Sequence, residues 1–135
     1  MNPKYVRDWM SVPAIVVDPD SSVSHALTLM RRRGIHSLVV GITGDNPHYG
    51  IVTTTDILDK IVAADADPAG ARVRDIMTSP VICADPGWTL RQCSITMQQG
   101  KFHHLPVADE HGTIVGMISD KDIFMAAEEI GWAGQ

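Results

Sequence analysis

Cysteine is scarce in this sequence, two in 135 residues, and aromatic side chains make up only 5%. Cys83 and Cys93 stand ten apart, in no Cys-x-x-Cys or Cys/His ligand spacing, so no disulfide framework, metal set or catalytic thiol is read from them. Both read as small core residues. No GxSxG, no Walker loop and no HExxH occurs, and no paired carboxylates stand outside one duplicated motif, so the expectation is a protein that is not an enzyme, with no required cofactor and no metal. No apolar run approaches the length that spans a bilayer, and the start, MNPKYVRDWM, lacks the basic-then-apolar pattern of a secretory signal. A cytoplasmic protein without a membrane partner is expected. A net charge of -5 argues against a nucleic-acid footprint over the whole surface. The run Arg31-Arg32-Arg33 ends a helix, where basic residues complement the macrodipole, and a solvated face is its first reading.

What the sequence does have is repetition. Gly50 to Ile57 reads GIVTTTDI and Gly116 to Ile123 reads GMISDKDI, 66 residues apart. Outward from this phrase, Val6 to Val40 aligns without a gap on Val73 to Val107 at a constant offset of 67. Twelve of those 35 pairs are identical: Val6, Arg7, Asp8, Met10, Pro13, Ile15, Asp18, Pro19, Met30, His36, Leu38 and Val40 with their partners. Chance composition gives about two. The chain is therefore a two-copy duplication. Copy one is taken as residues 3–64, the polar linker as 65–72 and copy two as 73–132.

Within each copy the local signals agree. VRDWM and VRDIM read as a short helical turn leading to proline, while AIVVD and VICAD read as strands ending at Asp-Pro turns. A helix follows. Ser21 or Ser22 caps it in copy one, Val23, Ala26, Leu27 and Met30 form its i, i+3, i+4, i+7 stripe, and Gly34 ends it. Leu90, Cys93, Ser94 and Met97 hold the same positions in copy two, which predicts a buried face. HSLVV and HLPV, then GIV and IVGMI, read as strands, with TTDILDKIVAA and DKDIFMAAEEI as closing helices. Each unit is β-α-β-β-α, of mixed α/β (α+β) class. A half of about 65 residues is marginal alone, so the two sheets are expected to pack face to face about a pseudo-two-fold axis.

The order V-R-D-x-M, P-x-I, D-P, a Met-ended helix, H-x-L-x-V and G-h-h-[ST]-x-x-D-I (h, an apolar residue), occurring twice, resembles a tandem pair of CBS domains, the cystathionine-β-synthase-type regulatory module. The resemblance covers roughly residues 3 to 130. It implies a regulatory, energy-sensing module that binds adenosine nucleotides (AMP, ADP or ATP) in clefts between the repeats and signals to its own homodimer or to a separate effector protein. By the same resemblance Asp56 and Asp122 would clamp ribose hydroxyls, and Thr53 and Ser119 would contact phosphate. His36, His103 and His104 match positions that often face the phosphates. Lys121 matches a phosphate-contacting base, where copy one has Thr55. Ile15, Val16 and Ile51 in copy one, and Ile82, Cys83 and Met117 in copy two, would form the adenine slot.

Each of these residues also has a plainer reading. A Ser or Thr cap with Asp in the first turn is ordinary helix-start chemistry, and it does not exclude a ligand. The histidines and Lys121 fit a solvated surface, and the slot residues are core in any arrangement. Two other functions stay open beside nucleotide sensing: a dimerisation or interaction module without ligand, for which Trp9, Trp88 and Trp132 are candidate anchors, and binding of S-adenosylmethionine or nucleic acid.

Overall fold

The computed structural model describes residues 4–132. In chain order the elements are α1 (Val6–Trp9), β1 (Val16–Val17), α2 (Val23–Arg33), β2 (Ser37–Val40), β3 (Gly50–Thr53), α3 (Thr54–Ile57), a π-helical segment (Leu58–Val62), α4 (Val73–Ile76), α5 (Leu90–Gly100), β4 (His104–Ala108), β5 (Ile114–Ser119) and α6 (Asp120–Ile130). The class is mixed α+β, with the β-α-β-β-α order of the sequence copies.

The chain forms two compact units, one spanning Ile15–Val81 and the other joining the segment that ends at Ala14 to the segment that begins at Ile82. The first unit holds a sheet in the order β1-β2-β3, with β1 parallel and β3 antiparallel to β2. Its helix α2 starts at Ser22, whose side chain accepts the His25 N–H at 3.0 Å, and stops at Gly34, whose φ of 64° is a left-handed stop that glycine adopts without steric cost. Val23, Ala26 and Met30 from α2 pack on Leu38, Val40, Val52, Ile57 and Ile61. Leu27 departs from the expected stripe. It is exposed, at the margin of the buried face, which explains why Ser94 can replace it in copy two.

The second unit repeats this plan with its own residues. Thr89 and Gln92 cap α5 reciprocally, and Leu90, Cys93, Met97, Leu105, Val107, Ile118 and Ala126 are buried. Full burial of Leu105 or Ile118 contributes about 1.5–3 kcal/mol each. The expected strand VICAD shrinks to a single parallel bridge, Ala84 with Val107. The cause is Pro106. In copy one Val39 donates its N–H to the Ile15 carbonyl at 2.9 Å, and Pro106, at the same position, has no N–H to give Ile82.

The two short helical turns are exchanged between the copies. Val73 and Arg74 of α4 donate to Ser21 and Pro19 in the Ile15–Val81 unit, while Val6 and Arg7 of α1 donate to Trp88 and Pro86 in the other. These partners are related by the same offset of 67 that aligns the copies. The residues after each turn then form a bridge to the glycine-led strand: Thr78 with Ile51, and Ser11 with Met117. Each V-R-D turn thus completes the unit built from the other copy's strands and helices.

Candidate functional site

Thr53 ends β3 and Ser119 ends β5, and each is the N-cap of the helix that follows. The Asp56 Oδ2 accepts the Thr53 N–H at 2.9 Å and its hydroxyl at 3.1 Å, and Thr53 Oγ1 accepts the Asp56 N–H at 3.2 Å. In copy two Asp122 Oδ2 accepts the Ser119 N–H at 2.8 Å, and Ser119 Oγ accepts the Asp122 N–H at 3.2 Å. Both pairs are reciprocal capping boxes with aspartate in the place of glutamate. One carboxylate oxygen of each pair is committed to the cap. The second oxygen differs: Lys60 Nζ lies 3.3 Å from Asp56 Oδ1, whereas Asp122 Oδ1 accepts from no described residue.

The histidines also diverge. The His36 carbonyl accepts the Thr54 N–H at 3.0 Å and the His103 carbonyl accepts that of Asp120 at 2.9 Å, so both residues sit beside a helix start. Of these two, only His103 has a carboxylate neighbour among the described residues, with Nδ1 2.9 Å from Asp120 Oδ2. Both imidazoles are exposed, His104 is half-buried opposite Ser119, and Lys121 is exposed in the first turn of α6. A groove of about 620 Å³ opens beside each histidine. Leu27, Ile35 and Leu58 make the first strongly apolar, while Ser94, Lys101 and Asp120 make the second more polar than the first. Neither groove is lined by Asp56 or Asp122.

Among the slot residues, Ile51 is buried between Val39 and Thr78, and Met117 is half-buried between Pro106 and Ser11. Ile15 and Cys83 are half-buried, but Val16 and Ile82 depart from the expected core placement: they are about half exposed, at 50% and 49%, and in β1 it is the neighbouring Val17 that points inward. Sequence reasoning missed Lys60 and Asp120. The Asp-to-Lys spacing of four in TTDILDK was the available signal for Lys60; Asp120 is visible only through its contact with His103.

Burial raises the Cys83 thiol above its ordinary range, and burial together with the nearby Asp122 charge pushes Cys93 up to about 11. At pH 8 only about 0.1% of Cys93 is then thiolate. Iodoacetamide is expected to label Cys93 in the native protein far more slowly than after unfolding, with peptide mass spectrometry as the readout; equal native and unfolded rates would contradict this burial. Among the described residues no cluster of three His, Cys, Asp or Glu is placed to hold a metal, and no helix is long and apolar enough to cross a membrane.

The CBS domain profile matches the chain twice, at residues 6–63 and 73–129. The chain belongs to the CBS domain family. It is 36% identical over 121 residues to inosine-5'-monophosphate dehydrogenase of Korarchaeum cryptofilum, covering 90% of this chain but 24% of that enzyme. The chain spans less than half the length of the curated relatives it matches. The hexameric CBS-CP12 protein from bloom-forming cyanobacteria superposes with a TM-score of 0.89 at 26% identity, over 97% of this chain and 75% of that one. The CBS domain pair of protein MJ0100, solved with 5-methylthioadenosine and S-adenosyl-L-methionine, gives a TM-score of 0.77 at 26% identity, over 91% and 95% of the two chains. In this CBS pair each copy of the repeated phrase falls inside one matched span, and its glycine, hydroxyl and aspartate recur at matched places in both units.

Proposed function

We propose that this CBS pair is a regulatory, non-catalytic module that binds an adenosyl ligand at the Thr53–Asp56 and Ser119–Asp122 segments and passes the change to a partner protein or to a second copy of itself. The observation that carries this reading is the second carboxylate oxygen of Asp122, which accepts from no described residue at a helix start where the Ser119 cap already fixes the side chain. A CBS pair solved with two adenosyl compounds supports the ligand class. The aspartate would accept the ribose hydroxyls, and His103 and Lys121 would sit on the phosphate side of an AMP, ADP or ATP. Apolar residues such as Ile82 and Met117 would face the base. A ligand shifts the module's conformation only as far as it binds one arrangement better than another. The partner, a homodimer and a cytoplasmic setting belong to this proposal.

A second reading, a dimerisation module without ligand, rests on the exposed apolar side chains Leu58, Val62, Phe124 and Met125 along the closing helices. Thermal unfolding of nucleotide-stripped protein with excess AMP, ADP, ATP, S-adenosylmethionine or 5′-methylthioadenosine separates the two. A ligand at one hundred times its dissociation constant adds about 2.7 kcal/mol. At least one compound is expected to raise the midpoint, Asp122→Ala is expected to reduce that rise, and Asp56→Ala with Asp122→Ala is expected to lose it. Each variant is compared with its own ligand-free midpoint, because loss of a cap partner itself costs about 1 kcal/mol. No rise with any compound would favour the ligand-free module.

A further inference from the structure

The carboxylates of the two motifs stand in different states. Each commits Oδ2 to its capping box, which leaves Oδ1 for a ligand. In copy one that oxygen faces the ammonium of Lys60, which lies 3.3 Å away and also donates to the Ile76 carbonyl at 2.8 Å. Ile76 is the last residue of α4, and its carbonyl is one of those a helix end leaves without an intrahelical partner. Lys60 is therefore held from two sides, by α4 and by Asp56. At the offset of 66 the same position in copy two is Ala126, which is fully buried, and nothing cationic reaches Asp122 among the described residues.

A carboxylate that binds a vicinal diol accepts from the two hydroxyls together, and an ammonium on one of its oxygens competes with them. From this contrast, and resting on the adenosyl-ligand reading above, we infer that Lys60 is a built-in competitor for the diol-binding carboxylate of copy one. The copies then fill in order: Asp122 is open to a ligand's cis-diol from the start, and Asp56 becomes open only when the ligand displaces Lys60. The asymmetry is a specificity device. A ligand that only grips the diol gains little at copy one, whereas a ligand with an anionic group can give the displaced ammonium a new partner. Lys60 is 46% exposed, so the competition is modest in size, a matter of several-fold rather than thousands-fold.

The test uses 5′-methylthioadenosine, which carries the diol but no phosphate, so removal of Lys60 takes away a competitor without taking away a phosphate contact. Calorimetric titration is run in an Asp122→Ala background, where only copy one remains, with Lys60→Met and Lys60→Arg added separately. Lys60→Met is expected to tighten binding about three- to tenfold. Lys60→Arg, which keeps the charge, is expected to stay near the parent. Further addition of Asp56→Ala is expected to abolish the gain. Ligand-free unfolding midpoints establish that each variant is folded. Unchanged or weaker binding in Lys60→Met, with binding still lost on Asp56→Ala, overturns the competitor role while the adenosyl reading stands. Failure of the unsubstituted protein and of every variant to bind any adenosyl compound overturns the adenosyl reading, and the competitor role with it; binding by the unsubstituted protein but by no variant, Lys60→Met included, overturns the competitor role alone.

Discussion

A chain shortened to begin at Pro13 is expected to lose about 5 kcal/mol of stability, a fall in midpoint on the order of 15–20 °C. The removed segment carries α1, which the repeat assigns to copy one and which completes the unit built from copy two. Val6 is fully buried there, and losing it forfeits about 1.5–2 kcal/mol of burial. Five backbone hydrogen bonds leave with it: Val6 to Trp88, Arg7 to Pro86, Leu90 to Lys4, and the pair between Ser11 and Met117. At a net 0.5–1.5 kcal/mol each they add several kcal/mol more, partly offset by the backbone entropy that the segment no longer loses. Hydrogen exchange checks where the loss falls. Amides of Leu90, Cys93 and Met117 are expected to lose protection first, and an unchanged midpoint would show that α1 is dispensable.

Replacing Gly116 with alanine is expected to cost about 2–3 kcal/mol, read as a lower urea midpoint at unchanged slope. A Cβ at Gly116 would stand 2.7 Å from the Ser11 carbonyl oxygen, 3.0 Å from Met10 Sδ and 3.2 Å from Val12 Cγ1. The closest atom is backbone, so relief requires moving the segment that bridges to Met117. Gly50→Ala is the internal control. Its nearest neighbour is the flexible Met77 Sδ at 2.9 Å, with the Thr78 carbonyl at 3.0 Å, so a smaller loss is expected. The glycine that opens each repeated phrase is thus explained by close passage of the bridging segment after a V-R-D turn; neither Gly50 nor Gly116 has a positive φ. An equal or larger loss at Gly50 would contradict this account.

The duplication made the element order legible, because local signals that are weak once become firm when both copies carry them. Ser22 and Gly34 act as the caps their chemistry predicts. The buried stripe was overdrawn at Leu27, because a helix face has a margin that periodicity alone does not draw. Pro106 carried readable information about the shortened strand, yet its meaning depended on knowing which N–H faces Ile15. The π-helical segment has no sequence mark comparable to a cap or a proline; it sets the chain at Leu58–Val62 apart from the regular α6 of copy two. At the candidate site, the hydroxyl–aspartate spacing was legible and its capping geometry followed. The state of the second oxygen was not, since the Ile76 carbonyl that helps hold Lys60 arrives from 16 residues away. Which unit each V-R-D turn joins was equally hidden, because matched copies offer equivalent partners.

That exchange of turns also orders events in time. The unit spanning Ile15–Val81 is one uninterrupted stretch, and all its partners exist once Val81 has been made. The other unit includes α1, whose Val6 finds its partner at Trp88 and whose neighbour α6 follows, some 80 to 120 residues later. At about 5–20 residues per second, the opening turn waits several seconds on the ribosome with its apolar side chain uncovered. Closure over so long a separation also carries the larger entropic cost and the slower rate. Of the two halves, the one that reads second in the sequence therefore finishes later, and it does so by reaching back to residues synthesised before the first half.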